Sequence, residues 1–133
     1  MNRHCVAVPS VGSSATYSQA GRFRIDSACA ILTASGAADV FALVVLDGTG
    51  STIGAWLMQL AGVAGSRQVV TLAPGAQFLS AGFGPASMDG IATSAIPWEL
   101  WIENGWSISL FCATLGAAPP TVLEPFQLVI TLP

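Results

Sequence analysis

Charge is so scarce in this chain that its fold must be one whose exterior is completed by something other than its own ionised side chains. Four arginines and seven carboxylates are all it carries, there is no lysine, and charged residues make up 8% of the 133. About a quarter is usual, because ionised groups hold water at exposed faces and disfavour random association. With 53% hydrophobic residues, such a chain must either enter lipid or cover much of its surface with neighbouring protein. Uncharged stretches run from Gly48 to Ser66 and from Gln68 to Met88, and a spanning helix needs about 20 predominantly apolar residues. Glycines at 48, 50, 54, 62 and 65 break the first stretch, and Pro74, Gly82, Gly84 and Pro85 break the second. A small membrane barrel is expected to bring an export signal and girdling aromatics, and neither is read here. The expectation is a subunit of a protein assembly, with no membrane partner.

A length of 133 residues fits one domain, which should bury about two thirds of the surface its unfolded chain exposes. Nucleic-acid binding rests on cations that neutralise phosphates. Arg3, Arg22, Arg24 and Arg67 against a formal charge of −3 make that partner unexpected. Cys5, Cys29 and Cys112 are an odd count with no dense framework, which reads as reduced thiols made in a cytosol. Cys29 and Cys112 are expected to serve as small core hydrophobes.

Strand periods dominate the chain. Residues 1–20, rich in small polar residues without a sustained period, read as an extended N-terminal arm, and residues 21–133 as the body. From Arg22 to Ile31, period two puts Phe23, Ile25, Cys29 and Ile31 on one face and Arg22, Arg24 and Asp26 on the other. Val40–Leu46 is continuously apolar, as expected of a strand covered on both faces; a helix over 37–46 capped by Ser35 is the rival. Asp47-Gly48-Thr49-Gly50 then turns the chain into a partner strand from Ser51 to Met58. Arg67–Leu72 reads as a strand turned by Pro74-Gly75 into Gln77–Phe83, with a glycine-rich loop to Gly90. In Trp98–Glu103, alternation groups Trp98, Leu100 and Ile102 against Glu99, Trp101 and Glu103. Asn104-Gly105 reads as a type I′ hairpin turn, and the return strand sets Trp106, Ile108, Leu110 and Cys112 against Ser107, Ser109 and Phe111. Phe126, Leu128, Ile130 and Leu132 mark a last strand. About seven or eight short strands predict an all-β fold, an antiparallel β-sandwich or jelly roll.

Chemistry is hard to find. The single histidine, His4, adjoins Cys5, but neighbours on an extended chain point to opposite sides, and no second cluster completes a zinc site. Gly48-Thr-Gly50-Ser-Thr-Ile-Gly54 misses the G-x-G-x-x-G spacing, and a Walker loop needs a lysine. Glu99 and Glu103 would lie about 13 Å apart on a strand, wider than the roughly 5–9.5 Å of glycosidase pairs. No catalytic residue, metal ligand or cofactor is therefore predicted, and the protein is not expected to be an enzyme. The aromatic residues Trp101, Trp106, Phe111 and Tyr17 are the candidates for subunit or ligand contact, since Trp is enriched at interfaces and can also stack a sugar ring.

The segment Ile96-Pro-Trp-Glu-Leu-Trp-Ile-Glu-Asn-Gly-Trp-Ser-Ile-Ser-Leu110 resembles the apolar strand, glycine turn and aromatic-polar strand of small tailed-phage structural proteins, capsid decoration (cement) and fibre-associated proteins among them. A looser likeness through Ala20–Ile25, Phe41–Gly48 and Phe126-Gln-Leu-Val-Ile130 looks like the C1q/TNF-like jelly roll. The resemblance implies a homotrimeric β-sandwich on a virion, synthesised in the host cytoplasm, its partners being sister subunits and the major capsid protein lattice. A cement protein stabilising a phage shell is the first expectation, its arm from Asn2 to Gln19 reaching onto the lattice. A glycan- or receptor-binding module and a major coat protein are the alternatives.

Overall fold

The computed structural model describes residues 2–36, 38–61, 64–74, 90–114 and 120–133. It is an all-β sandwich, with eleven strands among those residues. The larger sheet has the order β1 (Asn2–Val8), β11 (Phe126–Leu132), β3 (Phe23–Thr33), β6 (Arg67–Pro74) and β7 (Gly90–Ile96), and the short β8 (Leu100–Ile102) and β10 (Thr121–Val122) also pair with β3. The facing sheet has the order β2 (Ser14–Tyr17), β9 (Ser107–Thr114), β4 (Ala38–Leu46) and β5 (Thr52–Ala61). All pairings are antiparallel except β6 with β7, which run parallel. The expected strand over Gln77–Phe83 lies outside the described residues, whereas Gly90, assigned to a loop, opens β7.

Alternation builds the core between the sheets. Ile108, Leu110 and Cys112 of β9 and Phe41, Leu43 and Val45 of β4 point inward from the smaller sheet. They meet Phe126, Leu128 and Ile130 of β11 and the inner face of β3. Residues 38–46 are thus a strand and not a helix: β-branched and aromatic residues suit a pleated, half-buried surface. Asp47 closes the β4–β5 hairpin as expected. Its Oδ1 accepts from the Thr49 hydroxyl at 2.6 Å, the Thr49 N–H at 2.8 Å and the Ser51 N–H at 3.0 Å. These bonds, the Thr49 hydroxyl first, hold the Asp47 carboxyl below the usual range.

Four expectations are corrected. Residues 1–20 do not form an arm lying outside the body: β1 pairs with β11 along its whole length and β2 pairs with β9. Backbone pairing asks little of side chains, so a segment without apolar periodicity can still supply an edge strand. Removing residues 2–19 would strip an edge strand from each sheet instead of freeing a tether.

In β3, Phe23 and Ile25 are buried, but Ala28, Ala30 and Leu32 continue the inner face in place of Cys29 and Ile31. The register against β11 shifts here: Ile25 faces Ile130 and Ser27 faces Val129, so Asp26 is the extra residue of a bulge. One inserted residue reverses which face every later side chain takes.

Asn104-Gly105 does not close a hairpin. Glu103 O accepts from Trp106 N at 3.0 Å, yet β8 pairs with β3 and β9 with β4, so the turn carries the chain from one sheet to the other. Gly105 has φ +87°, whereas Asn104 is not left-handed. Only the primed turns match strand twist, and other turns splay the flanking strands.

Trp98 leaves the face on which alternation grouped it with Leu100 and Ile102. Glu99 sits at φ +57°, which breaks the alternation and turns the indole out to 75% exposure.

Candidate functional site

The two outer faces of the sandwich differ sharply in chemistry. The strands of the smaller sheet contain one charged residue, Asp39, and its side chain is wholly buried between the sheets. Register sets Leu57, Ala42, Phe111 and Ser14 in one outward row, and Ala55, Val44, Ser109 and Thr16 in the next. Leu57 is 58% exposed and Ile53 on the same strand 49%. No charged side chain stands on this face among the described residues. The continuously apolar β4 was expected to be covered on both faces. Its inward residues Phe41, Leu43 and Val45 are fully buried, whereas on the outward side Ala42 is buried and Val40 and Val44 are half-buried.

The charges collect on the larger sheet instead. Asp26, displaced by the bulge, accepts from Arg24 Nε at 2.8 Å, Arg3 Nε at 3.2 Å and the Thr131 hydroxyl at 2.6 Å. Arg24 Nη2 also donates to Thr131 Oγ1 at 3.2 Å. Burial pushes the Asp26 carboxyl up, but the Thr131 and Arg24 bonds and the charges of Arg24 and Arg3 outweigh it, so it sits below the ordinary range. A folded value below the unfolded one adds stability that is present above the unfolded value, near pH 4, and lost as pH falls through the folded one. Asp26→Asn is therefore expected to lower the urea midpoint at about pH 6, with the difference from wild type shrinking progressively as pH falls below about 4. A difference that persisted unchanged in acid would contradict this assignment.

The sequence candidates do not converge on one site. Trp101, in register with Arg24 on the outer face, lies under two guanidinium groups, Arg22 at 4.3 Å and Arg24 at 5.8 Å from the ring centroid. Arg22 also pairs with Glu103 at 3.0 Å. Trp101 is thus a half-buried prop for arginines. Tyr17 meets Phe23 edge-on at 5.6 Å and donates its hydroxyl to Gln19 Oε1 at 2.5 Å; burial pushes its phenol up. Tyr17 and Trp106 both pack against the core margin. Phe111 alone stands on the uncharged face, half-buried between Ser14 and Ala42.

His4 and Cys5 are exposed on β1 and pair with successive residues of β11. Cys112 is a core side chain as expected, whereas the bulge turns Cys29 outward. Among the described residues no group of three His, Cys, Asp or Glu side chains could hold a metal ion.

No protein-family model, curated protein or solved structure matches this chain.

Two features escaped sequence reasoning. Trp98 was grouped with Leu100 and Ile102 because alternation assumes an unbroken extended backbone, and no local signal announces a left-handed Glu99. The uncharged face had a visible signal in the doubly apolar β4, but nothing in the sequence tells which side lacks a cover.

Proposed function

We propose that this protein is a non-enzymatic structural subunit that works in multiple copies, of the kind that decorates or builds a virus shell, with the smaller sheet's outer face as its contact with sister subunits. One observation carries the reading: the outward residues of β4 from Val40 to Leu46 are all apolar, and Leu57, paired with Ala42, lies 58% exposed on a sheet face without charge among the described residues. Large apolar patches mark association surfaces, and obligate interfaces resemble a core cut in half. A second copy brings the same uncharged face, so association would leave no ion stripped of water without a partner. The strand orders β1-β11-β3-β6 and β2-β9-β4-β5 support a jelly roll, in which eight strands are wound into two facing sheets. Many copies bound only to a closed shell oppose its opening by mass action, which is the service a cement protein renders. A homotrimer is the favoured copy number, following the likeness to phage decoration proteins.

Light scattering on the purified chain tests this reading. The wild type is expected to run as a defined multimer, a trimer first. Leu57→Asp should yield folded monomers, because an unpaired charge held in an interface costs several kcal/mol, equivalent to a loss of about 100-fold or more in affinity. Thr121→Asp, on the exposed β10 of the opposite sheet, should leave the multimer intact. A wild type that stays monomeric at high concentration removes the proposal.

A further inference from the structure

The geometry points to a second site, a cleft beside Trp98 that binds one neutral sugar ring. This cleft, of about 250 Å³, lies at the charged end of the larger sheet and is lined by Arg3, Arg24, Asp26, Pro74, Trp98 and Glu99 among others. Its size is below that of drug-sized pockets, about 300–1,000 Å³, and suits a single ring.

Three properties select the ligand. The first is the indole. Of the four tryptophans, Trp56, Trp101 and Trp106 are half-buried, and Trp98 alone is bared, at 75% exposure. An uncovered aromatic face loses water readily to a flat apolar surface such as the C–H face of a pyranose, while leaving the ring's hydroxyls free to bond elsewhere.

The second is the balance of charge. Arg3 and Arg24 are matched by Asp26 and Glu99, so the lining residues sum to no net charge. Neither an anion nor a cation finds a surplus of opposite charge there.

The third is the supply of both donors and acceptors. A guanidinium has five N–H donors; Arg3 spends one of them on Asp26, and Arg24 spends two, on Asp26 and Thr131. Glu99 is exposed and its carboxylate makes no hydrogen bond with the described residues, so it stands ready to accept. A sugar hydroxyl both gives and takes a hydrogen bond, and a neutral polyol is the chemistry that uses such a lining fully.

The walls are also held in place before any ligand arrives. Asp26 is fixed by three bonds on a β-bulge, and Glu99 is kept at φ +57°. Bulges and left-handed non-glycine residues are devices that re-aim side chains at sites. The lining arginines and Asp26 belong to the sheet opposite the uncharged face, so self-association there would leave the cleft open. The inference does not rest on the structural role proposed above, and either can fail alone.

A glycan array probed with the full-length protein, followed by calorimetry with the best monovalent glycan, tests the site. Binding to at least one uncharged glycan is expected, with a change in tryptophan emission. Trp98→Ala should weaken it about tenfold or more, Trp98→Phe should restore part of the affinity, and Glu99→Gln should weaken it as well. Because Trp98 is exposed, the Ala variant should keep the wild-type melting temperature, and that is checked alongside. Binding to no glycan overturns the proposal. So does binding confined to sialylated or sulfated glycans, or binding that Trp98→Ala leaves unchanged.

Discussion

Truncating Phe126 to alanine is expected to remove about 3–5 kcal/mol of unfolding free energy, a large share of the roughly 5–15 kcal/mol that holds a domain. Phe126 of β11 and Phe41 of β4 are both fully buried, and their rings stack at 5.8 Å with 8° between planes. They come from opposite sheets, so the pair pins the two layers together at the centre of the core. The loss combines apolar area returned to water with a cavity that neighbouring strands cannot close, because ladder hydrogen bonds hold their spacing. Urea unfolding followed by tryptophan emission should show a lower midpoint at unchanged slope. The Phe41→Ala, Phe126→Ala double variant should lose less than the sum of the singles by about 0.5–1.5 kcal/mol, the stacking contribution. A loss below about 1 kcal/mol for Phe126→Ala would show that the pair does not hold the layers.

Asp39→Ala should cost about 2–4 kcal/mol, although a buried carboxylate looks at first like a liability. Asp39 has no exposed surface, yet its oxygens accept from the Ser35 hydroxyl at 2.6 Å, the Ser35 N–H at 3.1 Å and the Thr114 hydroxyl at 2.6 Å. It therefore ties the segment entering β4 to the end of β9. Alanine removes the acceptor of three hydrogen bonds and leaves a cavity in its place, and a hydrogen bond lost in the interior costs more than a formed one returns. Asp39→Asn keeps the shape and should lose clearly less. Nearby Cys112 offers a second readout. Burial first, and then the Asp39 charge, push its thiol up to about 12, so in the native wild type it should stay unreactive to thiol reagents at neutral pH while the exposed Cys5 is modified. Asp39→Ala should bring the Cys112 thiol down without restoring an ordinary value, because burial remains. Rapid native labelling of Cys112 in the wild type would contradict the packing described here.

Apolar alternation made much of the sandwich legible. β9 and β11 bury the residues that period two selects, and β4 and β5 join through the expected Asp-Gly turn. What escaped was wherever a backbone conformation or a distant partner intervened. The bulge at Asp26 reversed the face of Cys29 and Ile31. A single left-handed residue at Glu99 carried Trp98 outward, and Asn104, which is not left-handed as a type I′ turn requires, belongs to a turn that takes the chain across to the other sheet. The segment 2–17 contributes two edge strands without apolar periodicity, because β11 and β9 supply hydrogen-bonding partners that lie more than 90 positions along the chain. The candidate surfaces were less legible still. Phe111 was named and lies on the uncharged face, whereas Trp98 was grouped with Leu100 and Ile102 and not named as a contact.

Composition and period, then, were enough to establish a β-rich chain poor in charge, with strands short enough to stack as two layers, since both properties follow from counting side chains along an extended backbone. Which apolar face stays bare, and how Arg3, Arg24 and Asp26 gather beside an open indole, depended on register and sheet order. Those are settled by pairing between backbone groups far apart in sequence, and such groups carry no residue-specific signature that a linear reading could follow.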